Sequence, residues 1–180
     1  MKPQKNISCR CGRVSLQLAG QPIISTECLC NSCREAGEYL QSRPGAQPLL
    51  DDKGATHMVL YRKDRVQCTK GADSLREYRL SPDSKTRRVI AACCDTPMFL
   101  DFTPGHWLSL YGRRWPETAL PPVQLRTMVR DRPEGTSLPD DIRNAETHSL
   151  AFFAKLVCAW AAMGFRTPQV DFVNGAFDTH

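Results

Sequence analysis

Seven of the nine cysteines in this 180-residue chain lie in three short clusters, and their spacing constrains the fold more than any other feature. The clusters read C-R-C-G, C-L-C-N-S-C and C-C-D-T-P, and they contain Cys9, Cys11, Cys28, Cys30, Cys33, Cys93 and Cys94. Two thiolates bound to one tetrahedral zinc ion lie about 3.8 Å apart, so C-x-C and C-x-x-C pairs can supply two ligands from one loop. The spacing therefore predicts metal binding, with a second pair from elsewhere in the chain completing the site.

The N-terminal segment indicates the redox state of these thiols. Residues 1–12 are polar and basic, and they contain no apolar run that could serve as a secretory signal. Disulfides persist in oxidising compartments and are rare in the cytosol. We therefore predict reduced, metal-binding cysteines in a cytoplasmic protein.

Length and composition are typical of one ordinary folded domain. The chain has 41% hydrophobic residues, which is enough for a core. Its longest apolar stretch, residues 150–165, is interrupted by Lys155 and is too short for a transmembrane helix. The formal charge is +5, but the basic residues are scattered and metal-bound thiolates would reduce this charge. We therefore expect no membrane partner, and the charge pattern argues against nucleic acid.

Much of the first hundred residues has the pattern of short antiparallel strands. Val14, Leu16 and Leu18 alternate with more polar residues, as in a half-buried strand. A short helix is expected at 34–40, after the second cysteine cluster, and Pro97 should interrupt pairing in a central strand. The other expected strands cover residues 57–61, 65–69, 75–80, 87–92 and 98–102.

The second half of the chain predicts a loop followed by one helix. Residues 115–143 are rich in turn residues, which indicates a surface connection. The helix is predicted from apolar residues at helical spacing, namely Leu150, Phe153, Leu156, Val157, Trp160 and Met163. We expect this face to pack on the β region, with a homodimer as the alternative, and residues 169–173 to add an edge strand.

These patterns together predict a mainly β fold class, an antiparallel zinc-binding β fold with a C-terminal α-helix packed on it. The expected division is a zinc-binding β domain over residues 1–130 and a surface connection over 131–145. The C-terminal helix and tail then occupy 146–180 and pack on the same domain. The isolated Cys68 and Cys158 are expected in the core.

Backbone geometry distinguishes the ligands within the clusters. Residues two apart in an extended chain point to the same side, so both cysteines of a C-x-C pair can face one ion. Cys93 and Cys94 are neighbours and face opposite sides of a regular strand, so only one should be a simple ligand unless the strand has already turned. The run C-D-T-P resembles a zinc-knuckle turn. This favours Cys94 and leaves Cys93 as a neighbouring thiol, an unusual ligand or a buried small residue.

The order of the motifs, C-x-C-G, then C-x-C-x-x-C-R, then a cysteine followed by x-T-P, resembles the glutathione-dependent formaldehyde-activating enzymes and the related centromere protein V domain. The resemblance covers about residues 8–102. It implies a tent-like zinc fold with a structural zinc held by the first and third clusters, and a more exposed zinc next to substrate held by the middle cluster. By motif, the structural ligands are Cys9, Cys11 and Cys94, and the ligands beside substrate are Cys28, Cys30 and Cys33.

The third and middle clusters depart from the family pattern. The family's third cluster is C-x-x-C-G, and here Ala91 and Asp95 stand at its first cysteine and its glycine. Leu29 stands where the middle cluster usually has histidine. Either Cys93 replaces the missing ligand, or the middle cluster supplies a sulfur. One or two Zn²⁺ ions per chain are accordingly expected.

The resemblance implies a carbon–sulfur lyase acting on glutathione or a related thiol adduct. Three thiolates with an open fourth position suit a zinc ion that activates an incoming thiol. Arg34, Arg87 and Arg88 are candidate partners for the carboxylates of such a substrate. No catalytic residue is assigned, and no cofactor other than zinc is expected.

The alternative is a non-catalytic module with structural zinc that binds a protein partner through its helix or an exposed edge strand. The histidines lack the spacing of a histidine-based hydrolase site, and His106 is the one kept as a reserve ligand.

Overall fold

Two β-sheets form the framework of the protein in the computed structural model, which describes residues 4–178. The smaller sheet is antiparallel and consists, in spatial order, of β1 (Gln4–Ser8), β2 (Ser15–Ala19) and β5 (Val66–Lys70). Strand β2 is the strand predicted from the alternation that begins at Val14. It ends at Gly20, whose φ of 77° is in the left-handed region that favours glycine.

The larger sheet has seven strands. In chain order these are β3 (Ile24–Cys28), β4 (Thr56–Arg62), β6 (Leu75–Tyr78), β7 (Thr86–Ala91), β8 (Thr96–Phe102), β9 (Trp107–Tyr111) and β10 (Leu125–Thr127). Their spatial order is β10–β3–β4–β9–β8–β7–β6. Neighbours are antiparallel except β10, which runs parallel to β3.

Both faces of the larger sheet are covered, and β4 shows how its sequence permits this. Val59 and Tyr61 point into a core shared with the smaller sheet, while Met58 and Leu60 point into a second core. All four side chains are buried, as expected when alternating side chains of a strand face two covered sides. The second core also contains side chains of the two helices, α1 (Asn31–Gln41) and α2 (Leu150–Ala161).

The fold class is as predicted, a mainly β, antiparallel protein with a C-terminal helix packed on a sheet. Strand β8 begins at Thr96 and includes Pro97, which was expected to interrupt a central strand. Pairing with β9 begins only at Phe99, and the β7 register shifts at Val89 and Ile90, so the missing N–H of the proline costs no hydrogen bond to β9. None of the described helices is long and apolar enough to cross a membrane.

The surface connection predicted over residues 115–143 is wrong at β10, which is buried along its whole length. Its central residue, Arg126, is 5% exposed. Its guanidinium is paired, with Nε 2.7 Å from Glu27 Oε2 and a terminal nitrogen 2.7 Å from Asp141 Oδ1. A three-residue strand with a charged centre has no periodicity that a sequence can reveal.

The chain's tail pairs with the sheet edge, but not over the predicted residues 169–173. Pairing occurs over residues 174–177, where the N–H of Asn174 donates to Leu75 and the N–H of Phe177 donates to Glu77, at 3.0 and 2.7 Å. This segment lies beside β6, the last strand of the larger sheet. The tail therefore covers an edge that would otherwise present unpaired backbone groups.

Helix α2 packs on the sheet through a stripe that overlaps the predicted one only in part, because the predicted Leu156 and Met163 are buried. Phe152 and Leu156 are buried, whereas Phe153 and Val157 are 51% and 55% exposed. The helix is apolar on most of its circumference, so spacing alone does not select the buried side. His106 helps to fix the orientation, because its Nε2–H donates to the carbonyl of Leu156 at 2.9 Å.

The orientation of α2 can be tested with two neighbouring residues. We expect Leu156→Ala to lower the free energy of unfolding by about 2–4 kcal/mol, because it leaves a cavity in the second core. Val157→Ala should change it by less than about 0.5 kcal/mol, because that side chain is largely solvated. Urea denaturation of the metal-loaded proteins measures both, and a larger loss for Val157→Ala would show that the helix is rotated from the orientation described.

Candidate metal centre

Four cysteine sulfurs converge where the loop after β1 meets the turn between β7 and β8. The Sγ atoms of Cys9, Cys11, Cys93 and Cys94 all lie within 4.8 Å of one another, and we call this group the four-cysteine site. Four of the separations are 3.6 Å for Cys9–Cys11, 3.8 Å for Cys9–Cys93, 3.4 Å for Cys11–Cys93 and 3.9 Å for Cys93–Cys94. The edge of a tetrahedron of sulfurs around zinc is about 3.8 Å, so these sulfurs fit a tetrahedral ion.

A turn allows the adjacent cysteines Cys93 and Cys94 to face the same centre. Strand β7 ends at Ala91, and the rule that neighbours face opposite sides of a strand does not apply beyond it. Asp95 has a φ of 51°, in the region where glycine is favoured and Asp is tolerated. Its carboxylate lies 3.0 Å from Arg43 Nε, which anchors the turn. An aspartate thus occupies a backbone conformation that glycine takes more commonly.

The thiols of the four-cysteine site differ in pKa. A hydrogen bond from the Arg13 backbone N–H lowers the pKa of Cys11 to about 6. Burial raises the pKa of Cys9 and, more strongly, that of Cys93. The site therefore has one readily ionised thiol beside thiols that keep their protons near neutral pH, and a bound cation would displace those protons.

The middle cluster forms a separate group at the start of α1. Cys28 ends β3, Cys30 is the N-cap of α1, and Cys33 lies in its first turn. The Cys33 N–H donates to Cys30 Sγ at 3.4 Å, so the thiol replaces the oxygen of a usual N-cap residue. The three Sγ atoms lie within 4.8 Å of one another. We call this group the three-cysteine site.

The three-cysteine site is built to hold a thiolate. Hydrogen bonds from Cys28 and Cys33 lower the pKa of Cys30 far below the usual thiol range, and the helix N-terminus also favours negative charge there. The hydrogen bond that the Cys28 thiol donates to Cys30 raises the pKa of Cys28 to about 11. The pKa of Cys33 rises through its hydrogen bond with Cys28 first, and burial adds to this. One thiolate and two thiols are thus the metal-free state near neutral pH.

The two sites lie on opposite faces of the larger sheet. Cys9, Cys93 and Cys94 pack in the core shared with the smaller sheet, whereas Cys28 and Cys33 belong to the second core, which contains side chains of the two helices. The structure therefore does not bring a sulfur of the middle cluster into the four-cysteine site. Of the two arrangements expected from the sequence, the one in which Cys93 completes the first group agrees with this geometry.

A cavity of about 320 Å³ adjoins the three-cysteine site, between the larger sheet and α2. All three cysteines of the site line it. Most of its remaining wall is apolar and includes Met58, Leu60, Leu100, Trp107, Phe152 and Leu156. Beside the four-cysteine site, a void of about 10 Å³ touches Cys94. The two sites therefore differ, because one has four sulfurs at tetrahedral spacing and the other has three sulfurs beside a cavity large enough for a ligand.

His148 also lines this cavity, and sequence patterns did not single it out. It precedes the N-cap of α2, and its ring lies 4.8 Å from that of Phe152. Burial lowers the pKa of His148, and the negative charge of an ionised Cys30 partly opposes that shift. A single histidine 115 residues beyond the last middle-cluster cysteine gives no spacing signal, so only the fold reveals it.

The three arginines proposed as carboxylate partners do not line the cavity. Arg34 donates to the Asp131 carbonyl and to Asn31 Oδ1. Arg87 pairs with Asp101 and Glu77 at 2.9 and 3.0 Å. Both guanidinium groups are therefore already occupied by partners within the protein.

Arg88 lies beside the three-cysteine site and is 2% exposed. It donates to the carbonyl of Ser32, which lies between Cys30 and Cys33 in the chain. Buried cations are almost always paired with negative charge, and the thiolates of the neighbouring site can provide it.

Other residues considered from the sequence lie away from both sites. His106 is buried between Trp107 and Trp160 and is not in either cysteine group. Cys158 is exposed on α2 and Cys68 is half-buried, so the expectation that both lie in the core is wrong for Cys158. Cys158 is exposed because α2 packs on the sheet through Phe152 and Leu156, and Cys158 does not lie on that side of the helix.

A Ser–His contact elsewhere in the fold does not have the geometry of a nucleophile and its base. Ser25 Oγ lies 2.7 Å from His57 Nε2, beside a second cavity of about 450 Å³ that His57 lines. The Ser25 hydroxyl donates its hydrogen to the Pro121 carbonyl at 3.0 Å, so His57 must be the donor in the Ser25 contact. A histidine that donates to the hydroxyl cannot accept its proton.

Comparison with protein-family models and with curated proteins finds no match. A crystal structure of a Rhodobacter sphaeroides protein, determined as a structural-genomics target, is similar with a TM-score of 0.46 and 12% identity. The similarity covers 78% of this chain and 99% of that one. Likeness at this level gives no indication of function.

Metal affinity should depend steeply on pH at the three-cysteine site. The raised pKa values of Cys28 and Cys33 mean that about two protons must leave for each ion bound, so affinity falls as the pH falls below about 11. Between pH 6 and 8 we expect the Zn²⁺ association constant to rise about 100-fold per pH unit. Chelator competition, corrected for protonation of the chelator, measures this slope. A slope near zero would show that the thiols are already ionised.

Proposed function

We propose that the protein binds one Zn²⁺ at each cysteine site and acts as a carbon–sulfur lyase on a thiol adduct. The observation that carries this proposal is the cavity beside three convergent thiols, which leaves room for a fourth, exchangeable sulfur. The order of the cysteine motifs supports the same chemistry, because it resembles that of the glutathione-dependent formaldehyde-activating enzymes.

The four-cysteine site suits structural zinc. Its four sulfurs match the spacing of a complete tetrahedron, and complete sites leave no position for substrate. The ligands come from the loop after β1 and the turn after β7, so the ion would join the smaller sheet to the larger one. Thiolate ligands favour zinc, although tetrahedral sulfur sites also take iron.

The three-cysteine site suits a reactive ion. Zinc held by three thiolates has an open position, and it supplies a Lewis acid that lowers the pKa of an incoming thiol. Such a centre carries one net negative charge, which accounts for the buried Arg88 beside it. Arg88 would thus stabilise the loaded site without touching the substrate.

The cavity wall defines what the chain itself contributes to the reaction. In a hemithioacetal, the C–S bond breaks, its electron pair stays with sulfur, and the hydroxyl proton leaves as the carbonyl forms. His148 lines the cavity and is kept neutral by burial, so it is the residue we assign to accept that proton. Apolar neighbours such as Phe152 exclude water from the reacting atoms.

Turnover of thiol adducts should require the three-cysteine site. We expect the zinc-loaded protein to catalyse formation or cleavage of hemithioacetals between formaldehyde and a panel of thiols, followed by nuclear magnetic resonance. Cys30→Ala should lose at least about 100-fold in kcat/KM, because it removes a metal ligand and the helix N-cap. Cys158→Ala, at an exposed cysteine that belongs to neither site and does not line the cavity, is the matched control and should keep full activity.

The second candidate is a binding module whose zinc is purely structural. The exposed apolar side chains of α2, including Leu150, Phe153 and Val157, favour it, because monomers rarely leave such residues together in water. The turnover experiment separates the candidates. A protein that binds two zinc ions and turns over no adduct across the panel would support the module and contradict the lyase.

A further inference from the structure

Apart from the cysteines, the residues among 4–178 that line the cavity beside the three-cysteine site are apolar or neutral polar residues. Its polar members are the hydroxyl residues Thr26, Ser32, Thr86, Ser109 and Thr127 and the imidazole of His148. No Asp, Glu, Lys or Arg of the described residues lines it. A ligand in this space would therefore meet apolar surface and a few neutral hydrogen-bonding groups.

Glutathione is a poor match for such a wall. At neutral pH it carries two carboxylates and one ammonium group, and each would lose water on entering the cavity. A buried charge without a partner is strongly disfavoured, and a buried hydrogen bond or ion pair must replace the lost water. Arg34 and Arg87 are occupied elsewhere, and Arg88 faces the cysteine loop.

Aromatic side chains make up much of the outer wall. Phe102 and Trp107 lie with ring centroids 6.0 Å apart, and Phe152 and Phe153 lie 5.7 Å apart in an edge-to-face arrangement. Phe102 and Phe153 are partly exposed, which is consistent with a position at the mouth. Such surfaces bind flat, apolar groups through dispersion and ring contacts.

We propose that the thiol served by the three-cysteine site is a small, uncharged, hydrophobic thiol, with an aromatic thiol as the best match, and not glutathione. This inference rests on the proposed function, because it assumes that a thiol reaches the open position of the bound ion. A volume of about 320 Å³ accommodates one ring with a short thiol-bearing arm and a small carbonyl adduct.

The test uses the full chain loaded with Co²⁺, whose visible bands report a new sulfur ligand. Benzyl mercaptan and glutathione are titrated separately, with benzyl alcohol as a probe of the same shape that lacks the thiol. We expect benzyl mercaptan to change the cobalt bands and to bind at least about tenfold more tightly than glutathione. Benzyl alcohol should bind more weakly and leave the bands unchanged.

Two lysine variants separate the cavity from the rest of the surface. Phe102→Lys places a cation at the cavity wall and should weaken benzyl mercaptan binding about fivefold or more. Val157→Lys places the same charge on an exposed residue of α2 that does not line the cavity, so it should leave binding unchanged.

The outcomes distinguish failure of this inference from failure of the proposed function. If glutathione changes the cobalt bands with equal or higher affinity, the hydrophobic specificity is wrong while the thiol-binding site stands. If neither thiol changes the bands, no thiol reaches the ion, and both proposals are overturned. If Phe102→Lys and Val157→Lys behave alike, the thiol does not occupy this cavity and the inference is wrong.

Discussion

Convergence of four cysteine sulfurs between the two sheets is the contact on which the rest of the structure depends. Cys9 and Cys11 follow β1, and Cys93 and Cys94 follow β7, so one ion would fix the smaller sheet against the larger sheet. Some of these thiols keep their protons without metal, so binding would release protons, and the net free energy of binding would add to the free energy of folding. The core between the two sheets consists of ordinary apolar side chains, which stabilise the sheets without metal. The contribution of an ion at the four-cysteine site would therefore be to fix how the two sheets are joined.

The larger sheet separates two kinds of chemistry. Alternation along β4 sends Val59 and Tyr61 toward the smaller sheet and Met58 and Leu60 toward the helices. The closed site lies on the first side and the open site on the second. Ligand exchange at an ion in the three-cysteine site would therefore leave an ion in the four-cysteine site undisturbed. This separation is what the proposed function requires.

The sequence predicts much of this arrangement because its strongest signals are local. The C-x-C pairs, strand β2 and the short helix predicted at 34–40 depend on spacing within a few residues, and the structure contains each, with the helix extended to Asn31–Gln41. The features that were missed depend on distant contacts. Arg126 is buried only because Glu27 and Asp141 meet it, and no pattern near Arg126 indicates this.

The same reason explains the remaining differences at the site. His148 reaches the cavity only because α2 packs beside the three-cysteine site, and α2 is apolar on most of its surface, so its buried stripe is set by the sheet. The adjacent cysteines both join the first group because the chain turns at Asp95, a conformation usually signalled by glycine. Local patterns identified the cysteines that could bind metal, and tertiary contacts decide which sulfurs lie close enough to share an ion and where a cavity adjoins them.

X-ray absorption at the zinc edge tests the central claim, that one site is closed and the other open. For protein loaded with two ions per chain, the account predicts an average of about 3.5 sulfur ligands per zinc at about 2.3 Å, with a lighter oxygen or nitrogen ligand at about 2.0 Å making up the remainder. Addition of a thiol that binds should raise the average toward four sulfurs. Four sulfurs per zinc from the start, or a single zinc per chain, would contradict it.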